Sequence, residues 1–255
     1  MPEPLLNLVH VSHTFSSGVR ALQPIDLRIA ERSFVSLVGP SGCGKSTLLR
    51  IASVLLKPTE GRVQSSFLPT PGDMAFVFQD ATLMPWATVV RNVSLPLELA
   101  GVAVSEATER ALAAISRVGL SEFAEAYPRQ LSGGMRMRAS IARAIVTNPR
   151  LLLMDEPFAA LDEFTRFKLN DDLLDLWQAN RWTVLFVTHS VREAVFLSER
   201  IVVMTPRPGA IAADMSVALP FPRTSELRLG HAFADECAKV TLALEHALNS
   251  GQSAA

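Results

Sequence analysis

Residues 39–46 read Gly-Pro-Ser-Gly-Cys-Gly-Lys-Ser and match the pattern G-x-x-x-x-G-K-[ST] at every fixed position. A chain that carries this string has few options for what surrounds it. The glycines Gly39, Gly42 and Gly44, with Pro40, Ser41 and Cys43 between them, let the backbone turn its N–H groups inward as a nest for anionic oxygens. Lys45 adds a charge that can reach β- and γ-phosphates, and Ser46 offers a hydroxyl to Mg2+. The preceding Phe34-Val35-Ser36-Leu37-Val38 reads as a buried strand. The following Thr47–Ala52 reads as a helix. Strand, nest and helix N-terminus in that order suit an anion, because the helix dipole adds to the inward N–H groups.

Composition removes several alternatives. The 255 residues carry 24 basic and 25 acidic side chains, so charge offers no case for nucleic-acid binding. Mean hydropathy is +0.25, yet no apolar stretch approaches the ~18 residues needed to cross a bilayer. The expectation is a chain that does not span a membrane but buries a partner surface. Met1-Pro2-Glu3-Pro4 lacks the basic and apolar regions of an export signal. Two cysteines, Cys43 and Cys237, fit a reducing compartment. Cys43 reads as a small side chain beside backbone donors rather than a redox group.

Apolar residues at Leu6, Leu8 and Val9–Val11, and again at Ile25, Leu27 and Ile29, predict antiparallel strands near the N-terminus. Buried strands are predicted at Met74–Phe78, Leu151–Asp155, Thr183–Thr188 and Arg200–Met204. Between them, helical patterns run over Leu161–Ala179 and Val191–Leu197. Strands alternating with helices predict an α/β fold with a mostly parallel, covered sheet. Residues 81–148 are rich in helical patterns and read as a helical subdomain inserted into that core. Within it, Ser105–Val118 opens on a serine that suits an N-cap. Arg136–Val146 places Met137, Ile141, Ala144 and Ile145 on one face. The resulting division is one domain over 5–240, with a core of 5–80 and 149–220 and a C-terminal helical segment over 224–248. Helix is expected over Glu226–Leu248, and Ser250–Ala255 is expected to be mobile.

Leu151–Met154 ends in Asp155-Glu156. By itself such a pair reads equally well as a solvated acidic strand end. Behind a phosphate loop, Asp155 suits holding Mg2+ and Glu156 suits polarising the attacking water. Leu131-Ser132-Gly133-Gly134-Met135 precedes a helix. Its residues fit an ordinary N-cap with a flexible lead, or a second anion nest. One nucleotide needs one loop from a given subunit, so a spare nest makes sense if it serves a nucleotide held by another copy.

Taken together, these strings resemble the ATP-binding subunit of ATP-binding cassette (ABC) transporters. Residues Gly39–Ser46 match that family's Walker A motif, and Leu151–Glu156 match Walker B with its catalytic glutamate. The signature motif is matched by Leu131–Met135, with Met135 in place of the usual glutamine. Gln79 matches the Q-loop glutamine that senses Mg2+ and the γ-phosphate, Ala160-Leu161-Asp162 the D-loop and His189 the switch histidine. Phe15 sits where the family stacks an aromatic on adenine, which is the favoured reading over an aromatic that serves the core. The resemblance implies an α/β P-loop ATPase core with an N-terminal antiparallel β-subdomain and the helical insertion. It further implies that Lys45, Glu156 and His189 act in catalysis, and that Ser46, Gln79 and Asp155 hold Mg2+. ATP contacts are implied for Phe15, Gly39–Thr47, Gln79, Ser132, Gly133, Gly134 and Asp162.

The finer resemblance is to importers of nitrate, sulfonate, taurine and pyrimidine precursors. It rests on residues 39–47, Leu83-Met84-Pro85-Trp86, Leu131–Arg136 and Pro206-Arg207-Pro208-Gly209. Leu161–Asn170 resembles subunits of pyrimidine or thiamine-precursor uptake. Arg32-Ser33 departs from the Gly-Glu that this branch often shows before Phe34. The implied partners are a second ATP-binding subunit, an identical copy forming a homodimer or else a close relative, integral membrane permease subunits, and a periplasmic or lipid-anchored substrate-binding protein. The implied location is peripheral, on the cytoplasmic side of the inner membrane. Trp86 is a candidate permease contact, or else a core tryptophan. Competing readings are a soluble ABC ATPase acting on nucleic acid or ribosomes, and a P-loop kinase or GTPase. The second of these lacks an Asn-Lys-x-Asp guanine reader here.

Overall fold

The computed structural model describes residues 4–67, 70 and 72–252. Its compact units are Met1–Leu68 with Thr183–Ala255, and Pro69–Trp182.

In the first unit, β1 (Leu6–Thr14) lies between β2 (Arg20–Ile29) and β4 (Glu60–Ser65), all antiparallel. Leu6, Leu8 and Val11 are buried, and so are Ile25, Leu27 and Ile29 opposite them. The alternation breaks at His10, which takes φ 52 where the ladder shifts register between Leu8 and Val11. That bulge moves Val11 onto the inward face. The strand β4 was not expected from sequence. Its Glu-Gly-Arg-Val-Gln-Ser is almost wholly exposed, so no apolar period marks it.

The same unit holds β3 (Phe34–Val38) between β7 (Thr183–Val187) and β8 (Arg200–Met204), all parallel. Every residue of β3 and β7 is buried, as strands covered on both faces require. An antiparallel β9 (Ile211–Ser216) closes on β8. Alternate residues of β9 are exposed, so it lacks the continuous apolar run of its neighbours. Helices α1 (Lys45–Ala52) and α6 (Val191–Leu197) follow β3 and β7. The expected C-terminal helix is broken: a 3-10 turn at Ser225–Leu229 is followed by extended Gly230 and then α7 (His231–Gln252). The tail expected to begin at Ser250 is helical through Gln252, and 253–255 lie outside the described residues. Arg223 fixes this segment to α6. Its buried guanidinium donates to the carbonyls of Val195, Phe196 and Ser198 at 2.8–2.9 Å. Those are orphan acceptors at the helix C-terminus. Burial lowers the Arg223 pKa to about 10.

In the second unit, β5 (Met74–Val77) runs parallel to β6 (Leu151–Asp155). Around them lie α2 (Val89–Leu99), α3 (Val104–Arg117), α4 (Gly133–Ile145) and α5 (Glu163–Asn180). Two boundaries differ from expectation. Ser105 is not the cap of α3. The helix starts at Val104, with Ala103 at the N-cap and Glu106 in the first turn to favour the dipole. Helix α4 starts three residues before Arg136, because the Ser132 hydroxyl accepts from the Met135 N–H and caps it there.

Candidate functional site

The phosphate-type loop joins β3 to α1 in the first unit. Gly42 (φ 74) and Gly44 (φ 105) take left-handed backbone, and Gly44 is the N-cap of α1. The N–H groups of the first turn of α1 therefore face the loop without a side-chain cap. Lys45 is buried, 4% exposed, with its Nζ donating to the carbonyls of Gly39 at 2.9 Å and Pro40 at 3.1 Å. Its charge is thus held inside the loop rather than spread into solvent. Cys43 is buried, Ser41 and Gly42 are exposed, and Pro40, Ser46 and Thr47 are half-buried.

The loop rests on a support that sequence reasoning quoted but gave no role. Gly209 lies against it so closely that a Cβ there would come 2.0 Å from the Cys43 carbonyl oxygen. Gly209 also donates its N–H to Ala21 O at 2.9 Å and accepts from Gln23 N at 2.9 Å. The segment thereby continues a ladder at Leu22 and backs the loop from below.

Phe15, 43% exposed, follows β1 and meets His13 edge-on with ring centroids 4.8 Å apart. The core alternative for Phe15 is thereby excluded. His189 is exposed just past β7. The residues on either side of it are fixed. The buried Thr188 hydroxyl bonds the buried Glu193 carboxylate and accepts from the Ser190 N–H at 3.0 Å. Ser190 in turn caps α6 through the Glu193 N–H. The string Ser190-x-x-Glu193 is a capping-box pattern, so this support could have been found from sequence.

In the second unit, Asp155 ends β6 and is 8% exposed. Glu156 follows at φ 46, a left-handed conformation costing about 1–2 kcal/mol for a residue with a Cβ. Such strain is found where a side chain must be aimed. Gln79 is exposed, two residues beyond the end of β5. Ser132 and Gly133 are exposed at the start of α4, while Gly134 is buried. A Cβ on Gly134 would come 2.7 Å from Thr165 Cγ2, so this glycine permits α4 to pack on the start of α5. Asp162 caps α5, accepting from the Thr165 N–H at 3.0 Å and its hydroxyl at 2.7 Å. The Thr165 N–H, and then its hydroxyl, hold the Asp162 carboxyl below the usual carboxylate range. Trp86 is 76% exposed and is not a core residue.

Among the described residues no three His, Cys, Asp or Glu side chains gather as a metal centre. The candidates Ser46, Gln79 and Asp155 are a hydroxyl, an amide and one carboxylate. Each is a hard oxygen donor of the kind that Mg2+ takes.

The chain matches the ABC transporter family model over residues 22–159, more than half its length. It is 50% identical over 220 residues to an ABC transporter ATP-binding protein of Methanocaldococcus jannaschii, covering 85% of this chain and 82% of that one. A taurine import ATP-binding protein of Rhizobium johnstonii is 44% identical over 233 residues, covering 88% and 89%. An aliphatic sulfonates import ATP-binding protein of Pseudomonas syringae is 46% identical over 225 residues, covering 88% and 90%. Among solved structures, a dimeric ATP-binding cassette in a post-hydrolysis state with ADP and Pi superposes with a TM-score of 0.74 at 35% identity, covering 84% of this chain and all of that one. With a glycine-capped helix start after β3, an acidic strand end and a serine-capped helix start at α4 already described, these likenesses leave one conclusion: the chain belongs to the ABC transporter family and is one of its ATP-binding cassettes.

Proposed function

We propose that this cassette hydrolyses ATP to drive a membrane importer for small sulfonate-bearing solutes of the taurine and aliphatic-sulfonate type. The observation that carries the reading is a glycine-capped helix N-terminus without a side-chain cap at α1, with a second, serine-capped helix start behind exposed Ser132 and Gly133 at α4, in one chain. The names of the taurine and sulfonate relatives, each similar over nearly nine-tenths of its length, support the cargo class.

In this reading two copies face head to tail. Each ATP is cradled by residues 39–47 of one copy and capped by Ser132, Gly133 and Gly134 of the other. Lys45 leaves its loop carbonyls for the β- and γ-phosphates, Phe15 stacks on the adenine, and Asp162 borders the shared face. Ser46, Gln79 and Asp155 hold Mg2+, which when bound offsets charge on the phosphates. Glu156 orients the attacking water and accepts its proton, and His189 donates to the γ-phosphate. Catalysis is then positioning plus charge stabilisation. Met135 has no amide to offer, so the contact at the nest falls to the Ser132 hydroxyl and backbone N–H groups.

The cassette works as one domain over about 5–240, docked peripherally on permease subunits at the cytoplasmic face of the membrane. A periplasmic or lipid-anchored binding protein delivers the solute. Among the described residues no helix is long and apolar enough to cross a membrane, and the exposed Trp86 suits the docking contact. The near-neutral charge, 24 basic against 25 acidic residues, disfavours a nucleic-acid substrate.

Glu156→Gln tests the reading. The variant is expected to bind Mg-ATP and dimerise while its phosphate release falls about 10²-fold or more, the scale on which removing a proton acceptor acts. Wild-type turnover would remove Glu156 from its role.

A further inference from the structure

His189 stands between a strand end and a helix start. Before it, the Thr188 N–H donates to Leu37 O at 3.2 Å and carries on the pairing of β7 with β3. After it, Ser190 caps α6, which runs only from Val191 to Leu197. A helix this short does not hold itself, since isolated helices below about 12–15 residues are marginal in water. The Thr188–Glu193 bond and the Ser190 cap secure its first turn alone. The direction of its axis, and with it the angle at which the chain leaves His189, is set by what grips the rest.

That grip comes from the C-terminal segment, at two points along α6. At the C-terminal end, the buried Arg223 gathers the carbonyls of Val195, Phe196 and Ser198 onto one nitrogen and Leu219 O onto the other, at 2.8–3.0 Å. Its guanidinium lies over the Phe221 ring, 4.1 Å from the centroid. Hydrogen bonds from a charged donor are about twice as strong as neutral ones, so this end of α6 is held to one position. In the first turn, the exposed Arg192 lies over the buried Phe233 ring of α7 at 5.0 Å and donates to Arg228 O at 3.4 Å. The Arg228 guanidinium in turn covers the Phe196 ring at 3.5 Å. The gripping segment is itself anchored. The Val217 N–H donates to Glu199 O at 2.9 Å, and the Ala218 N–H donates to the buried Glu236 of α7 at 3.4 Å. With both grips in place, α6 cannot pivot about its first turn.

We propose that Arg223 and Arg192 are positioning residues for His189: they fix the axis of α6, and the axis fixes where the imidazole meets the γ-phosphate. This rests on the reading of His189 as a γ-phosphate contact. The C-terminal segment then serves the reaction from outside every nucleotide-binding motif.

Full-length Glu156→Gln, titrated by calorimetry with Mg-ATP and with Mg-ADP, isolates the γ-phosphate without turnover. The ratio of the two affinities reads the His189 contact. His189→Ala in this parent is expected to lower the ratio about tenfold or more, the scale of a hydrogen bond to a charged group. Arg223→Met is expected to lower it severalfold and to leave ADP affinity within about twofold of the parent. Added to His189→Ala, it should lower the ratio no further, because it acts through His189. Arg192→Ala, an exposed position, gives a smaller loss with the same dependence and carries the cycle where Arg223→Met does not fold. Losses that multiply with that of His189→Ala overturn the proposal, as does an unchanged ratio in both arginine variants. An ADP affinity that falls in step with ATP affinity also overturns it, since the damage is then general. An unchanged ratio in His189→Ala overturns the γ-phosphate reading of His189, and the positioning role falls with it.

Discussion

Gly209 lies outside every phosphate-binding motif, yet replacing it with alanine is expected to damage the nucleotide loop. The added Cβ would stand 2.0 Å from the Cys43 carbonyl oxygen and 3.0 Å from Met204 Cε. Met204 is flexible and can yield, but the carbonyl belongs to the loop backbone and must shift by more than 1 Å to reach ordinary contact distance. Overpacking of a well-packed site costs about 1–3 kcal/mol, and two backbone elements forced apart sit at the upper end. Two hydrogen bonds, Gly209 N–H to Ala21 O and Gln23 N–H to Gly209 O, are strained by the same shift. At ~1 kcal/mol each they bring the total to about 3–5 kcal/mol. Thermal unfolding should then fall by about 10 °C, at roughly 2–4 °C per kcal/mol for a domain of this size. Nucleotide affinity, measured by calorimetry at a temperature where both proteins are folded, should drop by about tenfold or more, since each 1.4 kcal/mol of loop distortion is tenfold. Gly101→Ala is the control. Its φ of 85 is strained, but no atom lies within 4 Å of the added carbon, so it costs stability without touching ATP binding. A Gly209→Ala protein with wild-type affinity and melting temperature would refute the view that this segment backs the loop.

Two further substitutions probe local structure. Arg32 takes φ 61 in the turn before β3, where the sequence departs from a glycine-bearing relative pattern, and its N–H donates to Thr183 Oγ1. Arg32→Gly keeps that bond and relieves left-handed strain of about 1–2 kcal/mol, less glycine's own entropic cost, so melting should rise by about 2–4 °C. A fall would place the Arg32 side chain in an unrecognised contact. Asp162 has its carboxyl held below the usual range by Thr165. Its contribution is therefore complete above the ordinary aspartate pKa of about 3.9 and disappears as pH falls through the depressed value. Asp162→Asn keeps an acceptor for the Thr165 N–H but cannot titrate, so its melting temperature should decline less steeply between pH 5 and pH 3. Parallel declines would show that Asp162 titrates normally.

Local rules carried much of the architecture because several stretches obey one rule at a time. Phe34–Val38, Leu151–Asp155 and Thr183–Val187 are predominantly apolar, with one polar residue each, and every residue in them is buried. Strands β4 and β9 escaped because half or more of their surface is exposed, so pairing rather than burial defines them. The start of α4 was misplaced because two glycines disguise a helix that the Ser132 cap begins. In the candidate site, the loop glycines and the acidic strand end were visible because the chemistry dictates residue type. The supports were not. Gly209 under Cys43, Arg143 on Ala81 and Thr82, and Asn92 on Met84 act through contacts between residues far apart along the chain or through backbone geometry. Neither periodicity nor composition records such contacts.

The central claim is that one triphosphate is shared by two protomers, and mixing two disabled proteins tests it most directly. Lys45→Met loses the cradle and keeps the nest, whereas Ser132→Arg fills the nest and keeps the cradle. Each alone should fail to release phosphate from Mg-ATP. Combined, they form mixed dimers in which the intact cradle of one faces the intact nest of the other, and phosphate release should return with a dependence on mixing ratio that peaks near equal amounts. If Ser132→Arg hydrolyses ATP normally on its own, or the mixture stays as inactive as its parts while mixed dimers are present, the nucleotide is not shared in this way.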